Sequence, residues 1–196
     1  MKIYDISQEV FSCQVYPGDP APQKQALCAT ASGDLYNLTA FSMCAHNGTH
    51  IYAPFHFLRD GKTVEQMALD VFVGECYVAR HEGNVTRENA HAILAKADGA
   101  ERILIAGPAV VTAEAATVFA ASKIKLLGNE SQTVGPEDCP MAVHLILLGK
   151  GIALLEGVVL SDVPEGHYFL SAAPLNLAGA DGAPCRAYLI NKERIP

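Results

Sequence analysis

Apolar positions along this chain fall into short runs separated by turn residues, with few long amphipathic repeats. Residues 3–10 and 36–45 predict strands, the second with imperfect alternation, and the Tyr16-Pro-Gly-Asp-Pro20 segment between them forces a turn. Residues 71–79 predict another strand. Thr86 is placed to cap a helix over residues 87–96, with Gly99 just beyond its end. Apolar runs at 103–106 and 124–127 read as buried strands, with an Ala-rich helix over about 112–122 between them. Residues 141–148 suit a helix closed by Gly149 or Gly151, after which 152–156 and 187–190 return to strand. Strands and helices mix without a strict βα repeat, so the pattern predicts an α/β chain with a mixed sheet layered with helices. No internal repeat, low-complexity tract or linker interrupts residues 1–196, which predicts a single domain.

Composition narrows the function classes. Half of the 196 residues are hydrophobic, which is enough for a sizeable core, and the net charge is -7, which repels phosphate backbones and anionic lipid. Nucleic acid is therefore not an expected partner. Asp5 breaks the first apolar run, so no signal-peptide core is expected and the reading is cytoplasmic. The most apolar stretch, 142–160, carries His144, Lys150 and Glu156, which argues against a membrane span. Six cysteines lie apart with no CxxC pair, so they read as reduced and mostly buried, Cys44 included. Gly-rich phosphate loops and nucleophile elbows are absent.

The seven histidines carry the chemistry. In Ala45-His46-Asn47-Gly48-Thr49-His50-Ile51-Tyr52-Ala53-Pro54-Phe55-His56-Phe57, Gly48 and Pro54 oppose a continuous helix. An extended chain would put positions 46, 48, 50 and 52 on one face. His46 and His50 would then converge across Gly48, whose missing side chain leaves space for a metal ion such as zinc. The same spacing also fits two polar imidazoles with ordinary hydrogen bonds. Further along, His144 on a short helix and Glu156 at the end of the next strand form a compact unit that can bring both to one end of the fold. Glu156 interrupts an apolar run; buried, it would be paired, hydrogen-bonded or metal-bound, and at a strand end it could equally face water.

The pattern His-x-Gly-Thr-His-x-x-x-Pro-x-His-Phe resembles the signature of the cyclase family of metal-dependent hydrolases, a group that includes bacterial kynurenine formamidase and isatin hydrolase. The resemblance extends to Tyr4-Asp5-Ile6-Ser7, residues 60–64, residues 128–134, the His144 and Glu156 pair, and Gly179-Ala-Asp-Gly-Ala-Pro-Cys-Arg186. It implies a swivelling beta/beta/alpha domain assembled as a homodimer or homotetramer, with a small-molecule substrate. It implies metal binding by His46, His50, His144 and Glu156, with His56 as acid/base or further ligand. The chain departs from the family where Tyr52 replaces a metal-binding Asp, and where Glu130 and Thr133 replace Asp and Ser. A phenol, with an ordinary pKa of about 10, must lose a proton that Asp has already lost at neutral pH. Two ions held by neutral His and one Glu would repel, so a single zinc or manganese ion is expected. Three readings follow: a hydrolase of small amides, lactams or lactones in which His56 moves protons; a binding protein that has lost catalysis; and a metal-free enzyme using Tyr52 and a His as acid/base pair. Asp19 and Asp181 read as turn residues bonded to their own backbone, Arg186 as an ordinary ion pair, and His81, His91 and His167 as solvated or lightly packed.

Overall fold

Short apolar runs flanked by turns become the centre of a curled mixed sheet. The computed structural model describes residues 1–191, so residues 192–196 of the expected domain lie outside the described residues. The strands and helices are β1 (Lys2–Asp5), β2 (Gln23–Cys28), β3 (Leu38–Ser42), β4 (His50–Tyr52), β5 (Val73–Arg80), β6 (Gly83–Val85), α1 (Arg87–Ala97), β7 (Arg102–Ala106), β8 (Ala109–Val111), α2 (Ala113–Ala120), β9 (Leu126–Asn129), α3 (Met141–Leu148), β10 (Ala153–Glu156), β11 (Gly166–Ser171), β12 (Gly182–Pro184) and β13 (Tyr188–Asn191). Nine strands form the main sheet in the order β1-β13-β11-β5-β7-β9-β10-β4-β12. The four central strands β5, β7, β9 and β10 are parallel, and the flanking ones are antiparallel. None of the described helices is long and apolar enough to cross a membrane.

Alternation along the central strands sorts side chains into two cores. Ile103, Ile105, Leu127 and Leu154 face the helices and pack with Ile93, Phe119 and Leu147. Their neighbours Leu104, Leu126 and Leu155 face the other way and meet Ile6, Phe72, Leu170 and Leu189, because the sheet curls round on that side. Full burial of each such side chain contributes about 1.5–3 kcal/mol. Strands covered on both faces explain the continuous apolar runs.

The helices start where expected. Thr86 and Asn89 form a reciprocal capping box on α1, and Thr112 accepts from the Ala115 N–H on α2. Helix α1 ends in a left-handed Asp98, one residue before the expected Gly99. The first strand is shorter than expected and stops at Asp5. Beyond it the backbone leaves the sheet, and the Gln8 N–H donates to Thr49 Oγ1 at 2.9 Å. Strands β2, β4, β11 and β12 had no clear periodic signal; β4 and β12 are three residues each. All six cysteines are free, but only Cys76 is buried, so the expectation of mostly buried thiols is corrected.

Candidate active site

Register builds the site. β4 lies between β10 and β12, which sets His50 opposite Glu156 and Tyr52 opposite Gly182. His46 is not on an extended strand as expected; it sits in a turn held by Asn47, whose side-chain oxygen accepts from the Cys44 N–H at 2.8 Å. That turn, with Gly48 left-handed at φ +64°, still brings the His46 and His50 rings to 5.2 Å. The space at Gly48 is not for an ion: a Cβ there would lie 3.0 Å from Cys13 Cβ, so the glycine admits the N-terminal segment. Gly182 seats His46 instead, because a Cβ on it would lie 2.7 Å from His46 Cε1 and 2.6 Å from the Ile51 carbonyl oxygen.

The polar groups divide into two sets. In the first, Asp181 Oδ2 accepts from His46 Nε2 at 2.8 Å and from His56 Nδ1 at 2.7 Å. These two bonds, that of His46 first, hold the Asp181 carboxyl well below the usual carboxylate range. The expectation that Asp181 merely closes its own turn is thereby overturned. Among the described residues, His46, His56 and Asp181 form the one triad whose donor atoms all lie within 4.8 Å of one another, a spacing that could hold a metal ion.

In the second set, His50 Nδ1 donates to the Gly48 carbonyl at 2.8 Å, which leaves its Nε2 with a lone pair 3.8 Å from Glu156 Oε2. Both of these atoms are buried without a hydrogen-bond partner. Burial, reinforced by the charge of His46, lowers the His50 pKa to about 3 and keeps the ring neutral. His144 Nδ1 donates to the Pro140 carbonyl at 2.8 Å, and its Nε2 lies 3.1 Å from Glu156 Oε1. Because Nδ1 already carries a proton, the second contact is attractive only with a second proton or a cation between the two atoms. Burial opposes that proton, but the Glu156 hydrogen bond and charge outweigh it and hold the His144 pKa above its ordinary value. The Val134 N–H, at 2.8 Å from Oε1, completes the hold on a fully buried Glu156.

Tyr52 stands between the two sets. Its ring centroid lies 4.3 Å from His46, 5.0 Å from His50, 4.6 Å from His56 and 5.3 Å from His144. Burial first, then the charges of Glu156, Asp19 and Asp181, push its phenol pKa well above the ordinary value, so it stays protonated. Phe57 closes the ring of contacts at 5.2 Å from His144. The expected residues His46, His50, Tyr52, His56, His144 and Glu156 thus surround one place, and Asp181 joins them although it is 135 residues from His46. Its signal was the Gly-Ala-Asp-Gly-Ala-Pro stretch, where turn chemistry masked the role. Glu130, by contrast, serves the backbone, accepting from the N–H groups of Gly107 and Leu160 at 2.6 and 2.8 Å. Arg186 makes the expected exposed ion pair, with Asp5.

Residues 4–103 match the family model described as "Putative cyclase". The chain belongs to the cyclase family. Within it, the chain is 33% identical over 202 residues to a kynurenine formamidase of Erythrobacter litoralis, covering 96% of this chain and 93% of the relative. It is 34% identical to a kynurenine formamidase of Salinibacter ruber, covering 96% and 97%. The fold superposes with a TM-score of 0.83 on a structure described as a potential metal-dependent hydrolase with cyclase activity, at 27% identity and 98% coverage of both chains. Isatin hydrolase A from Labrenzia aggregata shares the fold, with a TM-score of 0.85 at 20% identity over 98% of this chain and 94% of that one.

A metal is implied by such cyclase-family relatives, and the donors in this chain fit one. Neutral imidazole nitrogens and carboxylate oxygens suit zinc or manganese. His46, His56 and Asp181 present two imidazoles and a carboxylate close enough to share one ion, and beside them His46 Nδ1, His50 Nε2 and Glu156 Oε2 are buried without partners, polar atoms a bound ion and its water would meet. The Gly48 and Pro140 carbonyls fix the tautomers of His50 and His144 from behind, so that each turns its Nε2 toward Glu156.

Proposed function

We propose that this protein is a hydrolase of small amides, lactams or lactones, formamides of aromatic amines foremost, working with one divalent zinc or manganese ion at His46, His56 and Asp181. The observation that carries this reading is that triad: two imidazoles and a carboxylate within 4.8 Å of one another, the set of three ligands from which catalytic metal sites leave a further position open. Kynurenine formamidase relatives covering nearly the whole chain support the formamide class. Charge supports a single ion. Asp181 is the one carboxylate in the triad, so a single divalent cation is partly offset, whereas a second cation would add its full charge beside imidazoles.

When bound, the ion would supply Lewis acidity for the carbonyl and lower the pKa of an attacking water. The chain's own residues do the rest. Glu156 Oε2, without a hydrogen-bond partner, accepts the proton of that water, with His50 Nε2 beside it at 3.8 Å. His144, whose pKa Glu156 holds above its ordinary value against the effect of burial, returns a proton to the leaving amine or alkoxide as the carbonyl carbon gains the water oxygen. Tyr52, protonated and packed against all four imidazoles, donates to the oxygen where negative charge develops. That protonation state removes Tyr52 as a base, which counts against the metal-free reading. The test is turnover of formanilide and of a simple aryl lactone by protein reconstituted with zinc or manganese. Hydrolysis abolished by chelator and restored by the ion is expected; metal-independent turnover, or none on either class, would reject the reading.

A further inference from the structure

The ladder between β4 and β10 stops beside the candidate active site. His50 faces Glu156 in register, and the next pair in that register would be Thr49 with Gly157. The backbones of these two residues bond elsewhere. The Gly157 N–H donates to the Ser131 carbonyl at 2.8 Å, and the Thr49 carbonyl accepts from the Cys185 N–H at 3.1 Å. Gly157, left-handed at φ +68°, turns the chain away. Side chains take the place of the missing ladder. The Thr49 hydroxyl donates to the Gly157 carbonyl at 2.6 Å, and Gln8 Nε2 donates to the same carbonyl at 2.9 Å. The Gln8 N–H donates in turn to Thr49 Oγ1 at 2.9 Å. Gln8 Oε1 accepts from the Gln14 N–H at 2.8 Å, which fixes the orientation of the amide.

This crossing carries both His50 and Glu156. A Cβ on Gly157 would collide with the Gly48 carbonyl oxygen, the atom that accepts from His50 Nδ1. The carbonyl that fixes the His50 tautomer is therefore packed against the residue that follows Glu156. Glu156 Oε2 and His50 Nε2 lie 3.8 Å apart and are both buried without a hydrogen-bond partner, so no bond between them sets their separation. Their backbones must set it, and the side chains of Thr49 and Gln8 hold those backbones together. Thr49 is itself buried, so its hydroxyl acts through its neighbours and not on a substrate. The N-terminal segment runs alongside, where the Val159 N–H donates to the Ile6 carbonyl at 2.9 Å, and this keeps Gln8 within reach of Gly157.

We propose that Thr49 and Gln8 are positioning residues of the candidate active site, whose shared hold on the Gly157 carbonyl sets the distance and angle between His50 and Glu156. The assignment rests on the hydrolase reading for its rates, and a resonance of the metal-free protein tests it separately. Thr49→Val keeps the shape and removes the hydroxyl, Thr49→Ser keeps the hydroxyl, and Gln8→Met keeps the length of the side chain without its amide. With formanilide and saturating zinc, Thr49→Val and Gln8→Met each lower kcat by about tenfold or more. KM and zinc affinity stay within about twofold of the wild type, because the ion and the carbonyl are held by the other set of residues. Thr49→Ser returns kcat to within about threefold of the wild type, as a hydroxyl in the same place should. Both side chains act on one carbonyl, so the double variant loses much less than the product of the two single losses. In chelator, the Nδ1 proton of His50, bonded to the Gly48 carbonyl, gives a slowly exchanging imidazole resonance in proton NMR that His50→Asn removes. Thr49→Val and Gln8→Met shift that resonance and speed its exchange, whereas Thr49→Ser leaves it in place. Gln8→Met gives both readouts even if Thr49→Val fails to fold. An unchanged kcat in the folded Val or Met variant, equal losses in Thr49→Val and Thr49→Ser, or a His50 resonance indifferent to both Thr49→Val and Gln8→Met overturns the assignment. No turnover by any of the proteins, wild type included, rejects the hydrolase reading, and the resonance alone then decides the positioning role.

Discussion

Tyr52 stands where four imidazoles would otherwise meet, and its ring packs against histidines of both the His46, His56 and Asp181 set and the His50, His144 and Glu156 set. Two substitutions separate its hydroxyl from its bulk. Tyr52→Phe keeps the packing and removes the donor, so kcat falls by about 10²-fold with metal content unchanged. Tyr52→Asp opens the space and adds a carboxylate, so metal affinity, read by competition with a chromogenic chelator, rises. His50 carries the acid sensitivity of the metal-free protein. Its folded pKa of about 3 lies below the ordinary 6.5, so between those values the unfolded chain binds a proton that the folded chain refuses. Stability is therefore full above about pH 6.5 and declines as pH falls toward 3. Urea unfolding in chelator at pH 7, 5.5 and 4.5 should show that decline, and His50→Asn, which keeps a donor toward Gly48, should flatten it; an equally steep decline in the variant would place the acid sensitivity elsewhere. At this scale six of the seven site residues were legible, because the signature places His46, His50, Tyr52 and His56 together and His144 and Glu156 share a local unit. Asp181 was not, since a turn sequence reads the same whether its carboxylate caps backbone or bridges two distant imidazoles.

Among the elements, those with a local cause were the most legible. Helices α1 and α2 follow from their Thr caps, α3 from its apolar run before Gly149, and β7 and β10 from Leu and Ile runs too short for helices. Strands β4 and β12 are made by pairing with β10 and with each other, which three residues cannot announce. The apparent meaning of Gly48 was misleading for a related reason: the glycine accommodates Cys13, a neighbour distant in sequence. The Gly182 backbone of β12 touches both β4 and the His46 ring, so Gly182→Ala must separate β12 from β4 and displace the imidazole. Loss of metal binding at least as large as the loss of thermal stability is expected; full metal affinity in a folded Gly182→Ala protein would refute the role assigned to β12. Arg102 is the other tie between elements. Buried on β7, it donates to the carbonyls of Asp70, Val71 and Glu75 at the entry to β5. Arg102→Met removes those hydrogen bonds and should destabilise the chain by about 2–4 kcal/mol in denaturant unfolding.

At the scale of the whole molecule, the layered α/β class was readable from short apolar runs mixed with helices, whereas the division of the core between the two faces of the sheet was not. The β2–β3 hairpin was only partly anticipated, and its residues lie outside both core clusters. A two-stranded sheet on its own is marginal in water. This one exposes Leu35, Tyr36, Leu38 and Phe41, with Leu35 97% accessible, beside an apolar cleft of about 580 Å³ whose lining includes Phe11, Met43 and Leu175. Such a surface predicts a second copy of the chain packed on the hairpin, a homodimer by light scattering that Phe41→Asp converts to monomer; a wild-type monomer at tens of micromolar would contradict it. The central claim concerns the metal. Zinc content per chain, measured after saturation and removal of free ion, tests it most directly in three proteins. About one equivalent in the wild type, near zero in Asp181→Asn and about one in an inactive Glu156→Gln is the predicted result. Zinc retained in Asp181→Asn and lost in Glu156→Gln would contradict it.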